Sequence, residues 1–167
     1  MPLRILLTNS TDIFAGGEDY VCILAKYLQR RHHEVIVSAN PGHLLLQKCE
    51  DAGIAAVPLL YTGMDRVFAV ARQLRRAMIE HDIEIVHSNA NYDRTVAAIA
   101  ASFSPVPHIA SVHSAHSIRH NITHVVRNRF GIDHFIADAD AVRDVLVTED
   151  RIPEERISVI AIGVESY

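Results

Sequence analysis

Most of the features that would assign a function quickly are missing from this sequence. Cysteine occurs twice, as Cys22 and Cys49, and neither stands in a C-x-x-C or other paired spacing, which argues against zinc and redox motifs and for two packing residues in a reducing compartment. Positive charge is not in excess: 16 Lys and Arg against 20 Asp and Glu give a net charge of −4, so the chain has no basic footprint for nucleic acid. Long apolar runs are absent at the N-terminus, where Met1 to Arg4 leads into an apolar segment too short for a signal h-region or a membrane span. A cytoplasmic protein is expected. The chain also lacks G-x-G-x-x-G, a Walker lysine, H-E-x-x-H and G-x-S-x-G, which disfavours dinucleotide binding, P-loop chemistry, zinc hydrolysis and a nucleophile elbow.

What remains is a chain of 167 residues, 49% of them apolar, which suits one domain with a substantial core. Short apolar segments alternate with amphipathic ones. Arg4 to Thr8, Val35 to Val37, Ala55 to Leu60, Ile83 to Val86, Ile109 to Val112, Phe135 to Ala137 and Ile157 to Ile162 read as strands. Between them, helices are expected over Glu18 to Arg31, Leu44 to Asp51, Asp65 to His81, Val96 to Phe103 and Ala141 to Val147. In the third of these, Val67, Val70, Ala71, Leu74, Ala77 and Met78 form an apolar stripe, and Arg66, Arg72, Arg75 and Arg76 are left for a solvated face. Strands apolar on both faces and alternating with helices predict an α/β, Rossmann-like, three-layer doubly wound parallel sheet in a single domain.

In such a sheet, ligands bind beyond the carboxyl ends of the strands. The residues expected there are polar: Asn9 to Asp12, Ser38 to Asn40, Tyr61 and Thr62, His87 to Asn89 with Asn91, His113 and Ser114, and Asp138. Gly16 and Gly17 precede a helix, where free N–H groups and the helix dipole suit a phosphate, although a Gly-Gly pair serves equally as a plain turn. His113 could meet a reacting group through its imidazole or simply bond a backbone atom.

His113, His116, His120 and His124 would share one face if their segment were helical. With no cysteine or H-E-x-x-H, a solvated His and Arg face is expected rather than a metal site. The same segment mixes Arg119, Arg127 and Arg129 with Ile118, Ile122, Val125, Val126 and Phe130. It suits either a helix packed on the sheet or a surface resting peripherally on an anionic membrane or a lipid-linked acceptor.

Several pieces, in order, resemble the opening half of the retaining GT-B glycosyltransferases, a glycosyltransferase family 4-like group that includes glycogen-synthase-like and mannosyltransferase-like enzymes. These are Gly16-Gly17-Glu18 with the helix through Leu24-Ala25, then Arg31-His32-His33-Glu34-Val35, where the group has Gly in place of His32. The likeness continues through Ile85 to Asn89, Ser111 to Ser114, Phe135 to Ala137, Ala141 to Leu146 and Arg156 to Ile160. Where the group closes with Pro-Asn-Gly-Val-Asp, this chain has Ala161 to Glu165.

The resemblance implies that Gly16 and Gly17 approach the donor diphosphate and that His113 contacts the transferred sugar as the catalytic candidate. It places Glu18, Asn89 and Ser114 in or near the acceptor cleft. It implies a nucleotide-diphosphate sugar as donor, a hydroxyl acceptor (glycan, lipid or small molecule), retention of configuration, and no required metal or other cofactor. It also implies a second, C-terminal donor-binding domain outside this chain, so that the fragment alone is inactive and could dimerise through apolar surface. Two rivals stand beside this one: a stand-alone acceptor-binding or anchoring subunit of a split transferase, and an unrelated doubly wound domain such as a nucleotide-sugar epimerase fragment.

Overall fold

A computed structural model describes residues 1–11, 16–102, 104–119 and 121–161, with the side chains of residues 16–19 outside the description. Expectations that fall on 12–15, 103, 120 and 162–167, among them most of the closing Ala161 to Glu165 segment, lie outside the described residues.

The strands are β1 (Arg4–Thr8), β2 (Glu34–Ala39), β3 (Ala55–Pro58), β4 (Ile85–Ser88), β5 (His108–Val112), β6 (His134–Ala137) and β7 (Ile157–Val159). The helices are α1 (Gly16–Arg30), α2 (Leu44–Asp51), α3 (Val67–Glu80), α4 (Asn91–Ala101), α5 (Ile122–Phe130) and α6 (Asp140–Thr148). The strands form one sheet in the order β3-β2-β1-β4-β5-β6-β7, every pairing parallel. The chain winds outward from β1 in one direction and from β4 in the other, so a crevice opens between their carboxyl ends.

Side chains alternate across the sheet and divide the core into layers. Ile5, Leu7, Val35 and Val37 pack with Val21, Ala25, Leu45 and Cys49 of α1 and α2. On the opposite face, Leu6, Ile36 and Val86 meet Val70, Leu74, Val96 and Ala100 of α3 and α4. A third cluster joins Ala110, Phe135 and Ala137 to Val142 and Leu146 of α6. The buried residues of α3 are the six read from the sequence as its stripe, and Arg66, Arg72 and Arg76 are exposed. Cys22 and Cys49 are both buried and free, and burial pushes the Cys49 thiol up to about 12, so it packs as a small apolar group.

Two backbone positions explain local sequence. His32 adopts φ 67, the left-handed conformation that closes α1, which is why glycine is usual in the resembling group at that point. At Gly131, which ends α5, an added Cβ would come within 2.7 Å of the Ala98 Cβ, so α5 and α4 approach too closely for any side chain.

Some boundaries differ from expectation. β4 runs over Ile85–Ser88 rather than Ile83 to Val86, because Ile83 is buried in the turn below the sheet and its apolar character reflects that packing. His87 and Ser88 therefore lie inside the strand rather than after it. The helix anticipated in the His and Arg segment, α5, begins only at Ile122, so His113 and His116 precede it and the shared histidine face does not form. Its polarity is also inverted from a solvated basic face. Arg127 and Asn128 are buried, whereas Ile122, Val126 and Phe130 are exposed.

Candidate functional site

The carboxyl ends of the central strands carry a row of hydroxyls. Thr8 pairs in register with Ser38 on one side and Ser88 on the other, and all three are fully buried. Each hydroxyl then needs a hydrogen-bond partner of its own. Tyr61 donates to Ser38 at 3.0 Å, and Ser88 bonds His108 Nε2 at 2.8 Å. His108 Nδ1 lies 2.6 Å from the Gly131 carbonyl, which can only accept, so Nδ1 carries the proton and Nε2 accepts from Ser88. Burial holds His108 at about 4.

Thr8 donates to Asp93 at 2.7 Å, and this carboxylate is the hub of the β1/β4 crevice. Asp93 stands in the first turn of α4, fully buried, and also accepts from the Ser10 hydroxyl at 2.8 Å and the Asn89 N–H at 3.0 Å. Its own N–H donates to Ser10 Oγ. Burial raises the Asp93 carboxyl above the usual range, opposed by the hydrogen bonds from Thr8, Asn89 and Ser10 and by the charge of Arg94. Asn89, expected in an acceptor cleft, is buried and donates its side-chain amide to the carbonyls of Thr8 and His87, stapling β1 to β4. Its Oδ1 has no hydrogen-bond partner among the described residues.

On the α1 side of the sheet a second polar group assembles. His87 Nε2 lies 2.7 Å from Ser111 Oγ, which is also 3.3 Å from the Tyr20 hydroxyl of α1. Burial, with His108 and His113 nearby, depresses His87 to about 3 and keeps it neutral. Burial likewise raises the Tyr20 hydroxyl. Beneath them the buried Arg94 donates to the Ser111 carbonyl at 2.9 Å.

Above this layer lies the open rim. His113 follows β5 and Asp138 follows β6, and Nδ1 stands 3.6 Å from the carboxylate with the two side chains 22% and 17% exposed. The Tyr20 ring meets the His113 imidazole edge-on, with centroids 4.7 Å apart. Both ring nitrogens are buried and the exposed part of the imidazole is its carbon edge, so the ring would have to turn to present a hydrogen bond to a ligand above the sheet. Ser114 is exposed on the same rim. Gly16 and Gly17 open α1, and Glu18 follows them in its first turn, with its side chain outside the described residues.

Sequence reading missed Tyr20, Asp93, Arg94 and Ser111. All but Ser111 are helical, whereas most polar residues that stand out in the sequence follow strands; an acidic residue in a first helical turn after a strand was the available signal for Asp93. Among the described residues, no group of three or more His, Cys, Asp or Glu could hold a metal ion, and no helix is long and apolar enough to cross a membrane.

The family model for Glycosyltransferase Family 4 matches residues 14–166. No curated protein matches by sequence. Among solved structures, a glycosyltransferase from Rickettsia africae superposes with a TM-score of 0.86 at 19% identity, covering 98% of this chain and 44% of that one. HepE from Anabaena, solved in complex with UDP and glucose, gives 0.78 at 19% identity, covering 98% and 45%. MurG from Acinetobacter baumannii gives 0.74 at 14% identity, covering 99% and 46%. The chain thus spans less than half the length of each.

Proposed function

The chain belongs to glycosyltransferase family 4, and from that premise we propose that it is the N-terminal, acceptor-side domain of a GT-B enzyme that moves a hexosyl group from a nucleotide-diphosphate sugar to a hydroxyl acceptor with retention. The observation that carries this proposal is the His113–Asp138 rim, polar and half-open at the carboxyl ends of β5 and β6, above a layer whose own polar groups are buried. Such a rim is half of a cleft. Its other wall would be a donor-binding domain, in keeping with a chain that covers 45% of HepE, a protein solved with UDP and glucose.

In this proposal His113 donates a hydrogen bond to the transferred sugar, and Asp138 fixes the ring that does so. Gly16 and Gly17 bring the N-terminus of α1, with its partial positive charge, towards the donor diphosphate. The developing charge on the leaving phosphate would be met by such preorganised dipoles and by cationic groups of the second domain. Glu18, Asn89 and Ser114 lie towards the acceptor, Asn89 by holding the strand ends in place.

The intact mass of the native gene product tests the division into domains. A mass about twice the 18.6 kDa of this chain or above is expected. A mass equal to it would make the chain a subunit of a split transferase, and a second polypeptide should then co-purify.

A further inference from the structure

A second cluster of charge lies away from the strand-end rim. A cavity of about 480 Å³ opens between the loop before α5, the C-terminal half of α5 and the segment joining α6 to β7. The residues around it lead into β6 and β7, so it sits towards the amino ends of those strands. Four arginines line it, Arg119, Arg129, Arg151 and Arg156, against the single carboxylate of Asp150.

The local bonding leaves this charge uncompensated. Asp150 is turned to the loop, accepting from the Ser117 hydroxyl and from the N–H groups of Ile118 and Arg119. Arg156 donates to the carbonyls of Asn128, Arg129, Ile132 and Asp133 and so neutralises the negative end of α5, which would otherwise repel an anion. Among the described residues, no carboxylate forms a salt bridge with Arg119, Arg129 or Arg151. Asn128, 4% exposed and part of the lining, has an amide nitrogen with no hydrogen-bond partner. That nitrogen is itself buried behind the cavity wall, so the side chain would have to turn for it to meet an acceptor in the cavity.

We infer that this cavity is a binding site for a phosphate or diphosphate group, separate from the rim proposed to meet the sugar donor. The guanidinium groups of Arg129 and Arg151 would grip the phosphate oxygens. Val125, Phe130, Ile152 and Pro153 offer apolar wall to whatever carries the phosphate.

The test is a titration of the 167-residue chain with inorganic pyrophosphate, followed by two-dimensional NMR of backbone and side-chain amides. A parallel arm measures sedimentation with vesicles of phosphatidylglycerol against vesicles of phosphatidylcholine. The comparison protein carries R129A and R151G, the glycine chosen because Arg151 sits at φ 56 and glycine keeps that turn. Saturable shifts at the Asn128 amide and at Ile152, weakened about tenfold or more in the double variant, would identify a soluble phosphate ligand. Selective binding to phosphatidylglycerol, lost in the variant and without response to pyrophosphate, would identify a lipid phosphate. No response in either arm from a variant and wild type that melt alike, or equal binding by both, would overturn the site.

Discussion

Two aspartates at the carboxyl edge of the sheet, Asp93 in the first turn of α4 and Asp138 after β6, have opposite environments. Asp93 is fully buried and accepts from Thr8, Ser10 and Asn89. Asp138 is partly exposed, and the group facing it is the imidazole of His113. The first closes the gap between β1 and β4; the second stands where a ligand can reach. A carboxylate at the carboxyl edge of a parallel sheet is therefore no sign of chemistry until its hydrogen bonds have been traced. Among the described residues, the carboxylate at the β1/β4 switch point is taken up by the protein's own hydrogen bonds, and the partly exposed polar pair lies over β5 and β6.

The contrast can be broken most forcefully at Asp93. Replacing it with alanine strands the Thr8 and Ser10 hydroxyls and the Asn89 N–H, so D93A should lose about 3 to 5 kcal/mol in chemical denaturation. A loss below about 1 kcal/mol would show that the crevice is not held by this carboxylate.

The buried layer should also respond to acid. His87 is held at about 3 in the folded protein, while the unfolded chain titrates near 6.5. Below 6.5 the unfolded state binds the extra proton, so stability present above that pH is lost as pH falls towards 3. The slope is about 1.4 kcal/mol per pH unit for this histidine. Denaturation curves between about pH 6 and 4 should therefore be shallower in pH for H87Q by that amount. Parallel slopes would mean that His87 gains water or a proton in the fold.

A smaller effect lies outside both regions. Because His32 occupies left-handed backbone, H32G should raise stability by about 0.5 to 1 kcal/mol, read from the denaturation midpoint. The smallest effect belongs to the rim. D138N should change folding stability by less than about 0.5 kcal/mol, since the pair is partly exposed and 3.6 Å apart. A larger loss would place Asp138 with Asp93 as part of the scaffold.

The layers of the fold were legible because burial and periodicity agree in them. Val67 to Met78 repeats at helical spacing, and those same six residues are the ones α3 buries. Legibility failed where a polar network overrides apolar pattern. Arg127 is drawn inward by Asn91, Thr95 and the Ile118 carbonyl, with burial pulling its guanidinium down to about 9, and α5 consequently turns Ile122, Val126 and Phe130 outward. No hydrophobic periodicity encodes that choice. The site was legible as a set of strand-end positions, His113 and Asp138 among them. It was not legible as an assembly, because Tyr20 comes from α1 and Ser111 from within β5, and only their packing against His87 and His113 joins them.

In the proposed enzyme the His113 rim acts on a sugar donor while the layer below it only supports the rim. This division of roles is tested most directly by the sugar-transfer rate of the native gene product from a nucleotide-diphosphate sugar, wild type against H113A, with the melting of both recorded. A fall of about a hundredfold or more with melting unchanged is expected. An unchanged rate in a folded H113A protein would contradict it.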